Sequence, residues 1–196
     1  LTADFLTEVT LGNISNYEWG EKFGRNSSIS TSSDPEDIWE GGGIYTGQPV
    51  SFTPETVSVA SSNANDTSAG TGARTIRISG LKTSSSTLYE SEDITMNGTS
   101  SVTSSGTWWR VNRAYVLTAG SGAENAGVIT INSTTTTANV FAAIPVGSNQ
   151  TQVLAYTVPA ERTMLLKRFR VGITRSTGAA GSANVTLRER EVGGVY

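Results

Sequence analysis

The sequence predicts an all-β fold, an antiparallel β-sandwich with the jelly roll as the favoured connectivity, from three observations. Short runs that alternate apolar and polar residues recur from residue 56 onwards. Turn-forming residues separate these runs: the chain has 21 Gly and 5 Pro, and roughly a quarter of it is Ser or Thr. Apolar residues make up only 36%, which a sheet with one solvated face tolerates better than a helical bundle does. We therefore expect a thin core that contacts with other copies supplement.

The run from Thr107 to Thr118, TWWRVNRAYVLT, is expected to be the central strand of a sheet. Its alternate residues predict one mostly apolar face and one mixed face. The apolar face carries Trp109, Val111, Arg113, Tyr115 and Leu117, and the mixed face carries Trp108, Arg110, Asn112, Ala114 and Val116. The charged and amide side chains interrupt any apolar stripe at helical spacing, so a strand is favoured. Its aromatic residues would each contribute about 1.5–3 kcal/mol to the core.

Residues 1–55 are expected to form an extended N-terminal arm. Phe5 to Leu11 is a candidate strand that could add to the sheet edge of a neighbouring copy. The turn-rich residues after it, about 40 in number, are unusual as a loop inside a compact domain. Candidate contacts with neighbouring subunits are Phe5, Leu11, Trp19, Phe23, Trp39 and Tyr45. The alternative is a flap whose aromatic side chains complete the core of its own domain.

Residues 56–196 are expected to form the sandwich domain, with about eight to ten strands. The candidate strands are 56–61, 73–81, 88–96, 107–118, 128–134, 139–145, 152–159, 162–174 and 183–191. Asn97-Gly98 follows the third of them and predicts a hairpin turn. Residues 164–173 also approximate helical spacing, but Val171, Ile173 and Thr174 favour a strand.

The charge distribution is uneven. Residues 1–70 contain ten acidic and two basic residues, whereas the remainder contains seven acidic and twelve basic residues. The two parts would attract each other within one chain or between copies, or they are simply two solvated faces. The net charge of −3 and the scattered basic residues do not favour nucleic acid as a partner.

Several other classes of protein are not expected. The chain has no cysteine and therefore no disulfide or thiolate site. No apolar run reaches about 18 residues, so no membrane partner is expected. Residues 1–20 lack a basic start and an apolar core, so no signal peptide is visible. The first residue is Leu1 rather than Met, which points to processing or to a boundary within a longer protein.

Catalysis is not expected either, and we predict no catalytic, cofactor-binding or metal-binding residue. The chain has no histidine, which excludes a Ser-His-Asp triad. Glu90 and Glu92 would lie on one face of a strand about 7 Å apart, a spacing between those of retaining and inverting glycosidases. A solvent-facing polar strand would have the same residues and is strongly favoured over a catalytic pair. Asn63, Asn65 and Asp66 offer oxygen ligands but lack the EF-hand spacing, so an Asx-rich turn is favoured over a calcium site.

Adjacent tryptophans on a strand point to opposite faces, so only one of the pair is available to a ligand. We assign Trp108, beside Arg110, as a candidate platform for stacking on a glycan and place Trp109 in the core.

Two parts of the chain resemble virion structural proteins of tailed bacteriophages, particularly marine ones. The first, between Gly72 and Ile131, carries GARTIRISGL, LYESEDITMNGT, WWRVNRAYVLTAGSG and AGVITI. The second, YTVPAERTMLLKRFRV from Tyr156 to Val171, resembles a turn in those proteins that leads into a strand, with Glu161 where glycine is commoner. The resemblance implies a β-sandwich on the particle exterior and no enzymatic site.

We therefore expect a capsid decoration or cement protein on the outside of the shell. Its partners would be further copies of the chain, as a homotrimer, and the major capsid protein. A tail or head-fibre component that binds host-surface glycan is the alternative function.

Overall fold

The computed structural model describes residues 4–29, 34–49, 53–136, 138–174 and 183–191. Within them, the chain forms one short helix and seven strands. These are α1 (Phe5–Thr10), β1 (Val57–Ser61), β2 (Ala73–Leu81), β3 (Glu90–Thr95), β4 (Val102–Thr103), β5 (Arg110–Ala119), β6 (Ile129–Ser133) and β7 (Val140–Ile144).

The strands form two antiparallel sheets, one in the order β4-β1-β6-β7 and the other in the order β3-β2-β5. The prediction of an all-β antiparallel sandwich is confirmed. A jelly roll has about eight strands, and the sheets of four and three strands do not confirm that connectivity.

The core lies between the two sheets. Alternate residues of β1 and β6 are buried, as are Ile76 and Ile78 of β2. Trp108 and Phe141 are its largest fully buried side chains. Because strand residues point alternately to opposite faces, these short apolar alternations are sufficient to build both inner faces.

The predicted place of the tryptophan-led strand is wrong in one respect. β5 lies at the edge of its sheet, and β2 lies at the centre. Residues 149–151 run along the outer side of β5, where the Val116 N–H donates to the Asn149 carbonyl at 2.8 Å and the Thr151 N–H donates to the Ala114 carbonyl at 2.9 Å.

A β-bulge in β5 changes which of its residues face the core, so the predicted assignment of the two faces is wrong. Ser79 lies opposite Arg113 and Gly80 lies opposite Val111, so Asn112 is the extra residue. Before the bulge, Val111 faces the core, whereas after it Ala114 and Val116 do, so the inward-facing positions change from odd to even numbers. Val111 and Ala114 belong to the core cluster, and Val116 packs against it. Three residues assigned to the apolar face do not contact it and are exposed or half-buried: Arg113, Tyr115 and Leu117.

Gly80 permits the close approach of the two strands beside this bulge. A Cβ atom on Gly80 would lie 1.9 Å from the Arg110 carbonyl oxygen. Any larger residue would push the strands apart at that point.

The candidate strand at Phe5 to Leu11 is wrong, because these residues form α1 and its C-terminal cap. Gly12 has a φ of 74°, and its N–H donates to the Val9 carbonyl while the Asn13 N–H donates to the Glu8 carbonyl. This pair of bonds is a Schellman motif, which ends a helix. Val9 is the buried residue of the helix.

The predicted hairpin at Asn97-Gly98 is also wrong. The strands on either side of it, β3 and β4, belong to different sheets. Gly98 has the positive φ, 63°, that its turn signal predicts, but its N–H donates to the Asp66 carbonyl and its carbonyl accepts from the Ser61 N–H. The turn therefore carries the chain from one sheet to the other.

Three further candidate strands are not strands in the described residues. These are 152–159, 162–174 and the part of the chain at 183–191. The strands predicted at 56–61, 73–81, 88–96, 107–118, 128–134 and 139–145 are confirmed, with ends that differ by a few residues.

Candidate assembly surface

Exposed apolar side chains concentrate towards the two ends of the chain. Of the 20 large hydrophobic side chains that are exposed among the described residues, seven lie in residues 5–44 and six lie in residues 162–174. We call residues 162–174 the C-terminal segment. Its six are Met164, Leu165, Leu166, Phe169, Val171 and Ile173. Groups of large exposed apolar side chains are candidates for contact with a partner.

Part of the N-terminal arm packs on its own sandwich. Oε1 of Glu40 accepts a hydrogen bond from the Ala143 N–H of β7 at 2.8 Å, and Oε2 accepts one from the Gln152 N–H at 3.1 Å. The Tyr45 hydroxyl donates to the Phe141 carbonyl at 2.5 Å, and burial raises the pKa of this hydroxyl. These contacts cover the outer edge of β7.

Trp39 belongs to the same packed part of the arm. It is 7% exposed, its indole N–H donates to the Gly43 carbonyl at 3.3 Å, and its ring centroid lies 5.3 Å from that of Tyr45. In this chain, Trp39 and Tyr45 therefore pack as the flap alternative expects, and Trp39 is not an exposed contact.

The other four candidate contacts of the arm are exposed. The exposed fractions are 43% for Phe5, 66% for Leu11, 41% for Trp19 and 46% for Phe23. The ring of Phe5 packs edge-on against Tyr17 at 5.3 Å. Their role in binding a partner stays a prediction.

A half-buried charged contact joins the arm to the bulge of β5. The Lys22 ammonium donates to the Asn112 carbonyl. Burial lowers the pKa of Lys22 to about 8, opposed by the nearby Glu40 carboxylate. Burial likewise raises the pKa of Glu40, while its hydrogen bonds act in the opposite direction. Sequence reasoning missed this contact because 90 positions separate Lys22 from Asn112.

The assignment of Trp108 to glycan stacking is wrong. Trp108 is 0% exposed, and Lys82 Nζ lies 3.5 Å from its ring centroid. A sugar cannot reach a ring that is enclosed by protein on all sides, so this tryptophan is a core residue.

The two glutamates of β3 have different surroundings. Glu92 accepts hydrogen bonds from the Ser105 N–H at 2.6 Å and the Gly106 N–H at 3.1 Å, and Lys82 lies 3.8 Å from it. Glu90 is exposed. The carboxylate of Glu92 therefore holds the turn before Trp108.

Asp66 has a structural role that the sequence did not predict. It is fully buried; its Oδ1 accepts from the N–H groups of Ala73 and Ala126, and its Oδ2 accepts from the Gly127 N–H and the Ser61 hydroxyl. Both oxygens of Asp66 are thus occupied by groups of the chain. No cluster of His, Cys, Asp or Glu suited to a metal ion occurs in the part of the chain that the structure describes.

The C-terminal segment leaves the sandwich beside the start of β3. The Ala160 N–H donates to the Ser86 carbonyl at 2.9 Å, and Arg162 Nε donates to the Thr87 carbonyl at 3.3 Å. Between these two contacts Glu161 has a φ of 58°. From there the segment runs exposed and without a strand partner among the described residues.

Comparison with protein-family models, with curated proteins and with solved structures found no match to this chain. Across the described ranges, no helix has the length and the apolar character needed to cross a membrane.

Proposed function

We propose that this chain is a structural protein of a tailed-phage particle, a decoration or cement protein that stabilises the capsid from outside. It acts by binding copies of itself, as a homotrimer, and the major capsid protein. The observation that supports this best is the concentration of exposed apolar side chains in the arm and the C-terminal segment.

The sandwich between these two parts is well packed by comparison. Among residues 53–155, large exposed hydrophobic side chains are limited, within the described positions, to Leu88, Leu117, Val128 and Val146. A folded body with apolar extensions suits a protein that joins larger assemblies, because several weak contacts per oligomer add up through avidity. The assignment to phage particles is supported by the resemblance in residues 72–131 and 156–171.

The experiment is co-sedimentation of the purified chain with shells assembled from the major capsid protein of the same phage. We expect Trp19→Ala with Phe23→Ala to weaken binding at least about tenfold, since exposed aromatic anchors carry much of the binding energy of an interface. The matched control is Leu88→Ala with Leu117→Ala, which removes exposed apolar side chains from the sandwich and should leave binding unchanged.

Thermal unfolding of each variant serves as the folding control, because all four side chains are exposed. Absence of shell binding by the unmodified chain would contradict the proposed function. Equal loss of binding in both double variants would remove the arm from it.

A further inference from the structure

We propose that the C-terminal segment pairs as an added β-strand with the open edge of β3 in a second copy of this chain. The proposal rests on the self-association part of the function above and names the two surfaces that meet. It does not depend on the identity of the shell.

Among the described strands, β3 is the longest whose outer edge is uncovered. The outer edge of β7 is covered by Glu40 and by Thr46, whose Oγ1 accepts from the Val140 N–H at 3.1 Å. The outer edge of β5 is covered by residues 149–151, and β4 has two residues only.

The six residues of β3 pair with β2 on one side, where alternate residues form the ladder bonds. Within the described residues, no backbone hydrogen bond occupies their other side. Unpaired N–H and C=O groups along such an edge are a template for another strand.

The C-terminal segment has the sequence of a half-buried strand. From Leu165 onwards, one alternate face carries Leu165, Lys167, Phe169, Val171 and Ile173, and the other carries Leu166, Arg168, Arg170 and Gly172. Branched and aromatic residues in this alternation favour a pleated surface with one side buried. In the single chain, Leu165 is 59% exposed and Ile173 is 60% exposed, so the apolar face has no cover.

The charges of the two surfaces are complementary. The C-terminal segment contains Arg162, Lys167, Arg168 and Arg170 and no acidic residue, whereas β3 contains Glu90, Glu92 and Asp93 and no basic residue. Opposite charges on neighbouring strands stabilise their pairing. Asp93 already pairs with Arg77, and Glu92 with Lys82. Glu90 is therefore the carboxylate of β3 that is most available to a second chain.

A second copy is the occupant that this arrangement favours. The segment begins near its own β3, at the bond from Arg162 to Thr87, yet among the described residues it forms no backbone hydrogen bond with that strand. Exchange of such a strand between identical chains pairs the β3 edge of every copy and closes into a ring, as the proposed homotrimer requires.

The chain contains no cysteine, so introduced cysteines report the pairing directly. One population of the full chain carries Ser91→Cys or Thr95→Cys on β3 together with a size tag. The other, untagged, carries Arg168→Cys or Arg170→Cys. After mixing and mild oxidation, we expect a disulfide-linked heterodimer from at least one of the four pairs, at least about ten times the yield of the control. A disulfide requires Cα atoms within about 7 Å, so the productive pairs also report the strand direction.

The control replaces the β3 cysteine by Leu117→Cys on β5. Val171→Pro, which removes a ladder N–H, should abolish the heterodimer, and Leu187→Pro, at a site 61% exposed outside the C-terminal segment, should preserve it. High salt should reduce the yield.

A heterodimer yield no higher than that of Leu117→Cys would overturn the proposal. So would a disulfide that forms only within single chains when Thr95→Cys and Arg168→Cys are combined, because the occupant of β3 would then be the segment of the same chain. Either result leaves shell binding through the arm, measured separately, as the test of the proposed function.

Discussion

Replacement of Asp66 by Asn tests whether this buried carboxylate holds the two sheets together. Asp66 lies in the connection between β1 and β2. Its four donors come from the end of β1, the start of β2 and the loop before β6, at 2.6–2.8 Å: Ser61, Ala73, Ala126 and Gly127. The substitution changes one oxygen into an amide group and leaves the size of the side chain almost unchanged.

The magnitude follows from that geometry. Each carboxylate oxygen accepts two hydrogen bonds. An NH₂ group at the Oδ1 position would face two backbone N–H donors, and at the Oδ2 position it would face the Gly127 N–H while the Ser61 hydroxyl could rotate to accept. In either orientation, bonds are lost and the remaining ones no longer involve a charged group. Hydrogen bonds to a charged group contribute about 1.5–3 kcal/mol each. We therefore expect the free energy of unfolding to fall by about 3–5 kcal/mol, near the upper end of single-substitution effects.

Urea unfolding followed by tryptophan fluorescence measures this loss. With a slope of about 1–3 kcal/mol per M, the midpoint should fall by about 1 M or more. The matched control is Asp93→Asn, which disturbs an exposed bidentate contact with Arg77 and should shift the midpoint far less. Equal shifts for the two variants would refute the reasoning that Asp66 joins the sheets.

Three further predictions concern the core, the arm and a turn. Trp108→Ala should lower the free energy of unfolding by about 3–5 kcal/mol in urea unfolding, because the ring is completely buried. Since the pKa of Lys22 is lowered from 10.5 to about 8, the folded state binds fewer protons in that window. The stability of the unmodified chain should therefore rise between pH 8 and 10.5 relative to Lys22→Met, by at most about 1.4 kcal/mol per pH unit in urea unfolding. Glu161→Gly should relieve up to about 1 kcal/mol of left-handed backbone strain, visible as slower hydrogen exchange of the Ala160 N–H.

Each of these has an outcome that contradicts it. A Trp108→Ala variant as stable as Trp19→Ala would mean that the core does not depend on the buried ring. A difference between the unmodified chain and Lys22→Met that is constant with pH would mean that Lys22 is solvated. Unchanged exchange at Ala160 would mean that the turn at Glu161 is not strained.

The sandwich could be predicted because its signals are local. β2 occupies the residues that alternation assigned to it, 73–81, and β1, β6 and β7 lie within theirs. A period of two together with turn residues on both sides determines a strand without knowledge of its neighbours. The end of α1 was equally local: Gly12 after an apolar pair at Phe5 and Val9 is a helix C-cap signal that the strand interpretation overlooked.

The bulge and the buried polar contacts could not be predicted in the same way. The extra residue at Asn112 depends on how β5 meets Gly80 of another strand, and the identity of the partner is not contained in the run itself. The donors of Asp66 lie up to 61 positions away, and Asp66 stands in a polar loop whose composition suggests solvent exposure. Contacts with distant parts of the chain decide whether such a residue is buried, and the sequence around it does not show them.

The C-terminal segment shows the difference between a local pattern and the distant contacts that complete it. Strand propensity describes how well a residue fits a pleated, half-buried surface, so a strand pattern predicts both an element and a partner that covers it. In the described chain, Phe169, Val171 and Ile173 have the pattern and lack the cover. The outer edge of β3, in turn, has no strand paired with it among the described residues. The proposed pairing between copies would give each of these two surfaces the partner that it lacks, so the strand predicted at 162–174 is expected to form only in the assembly.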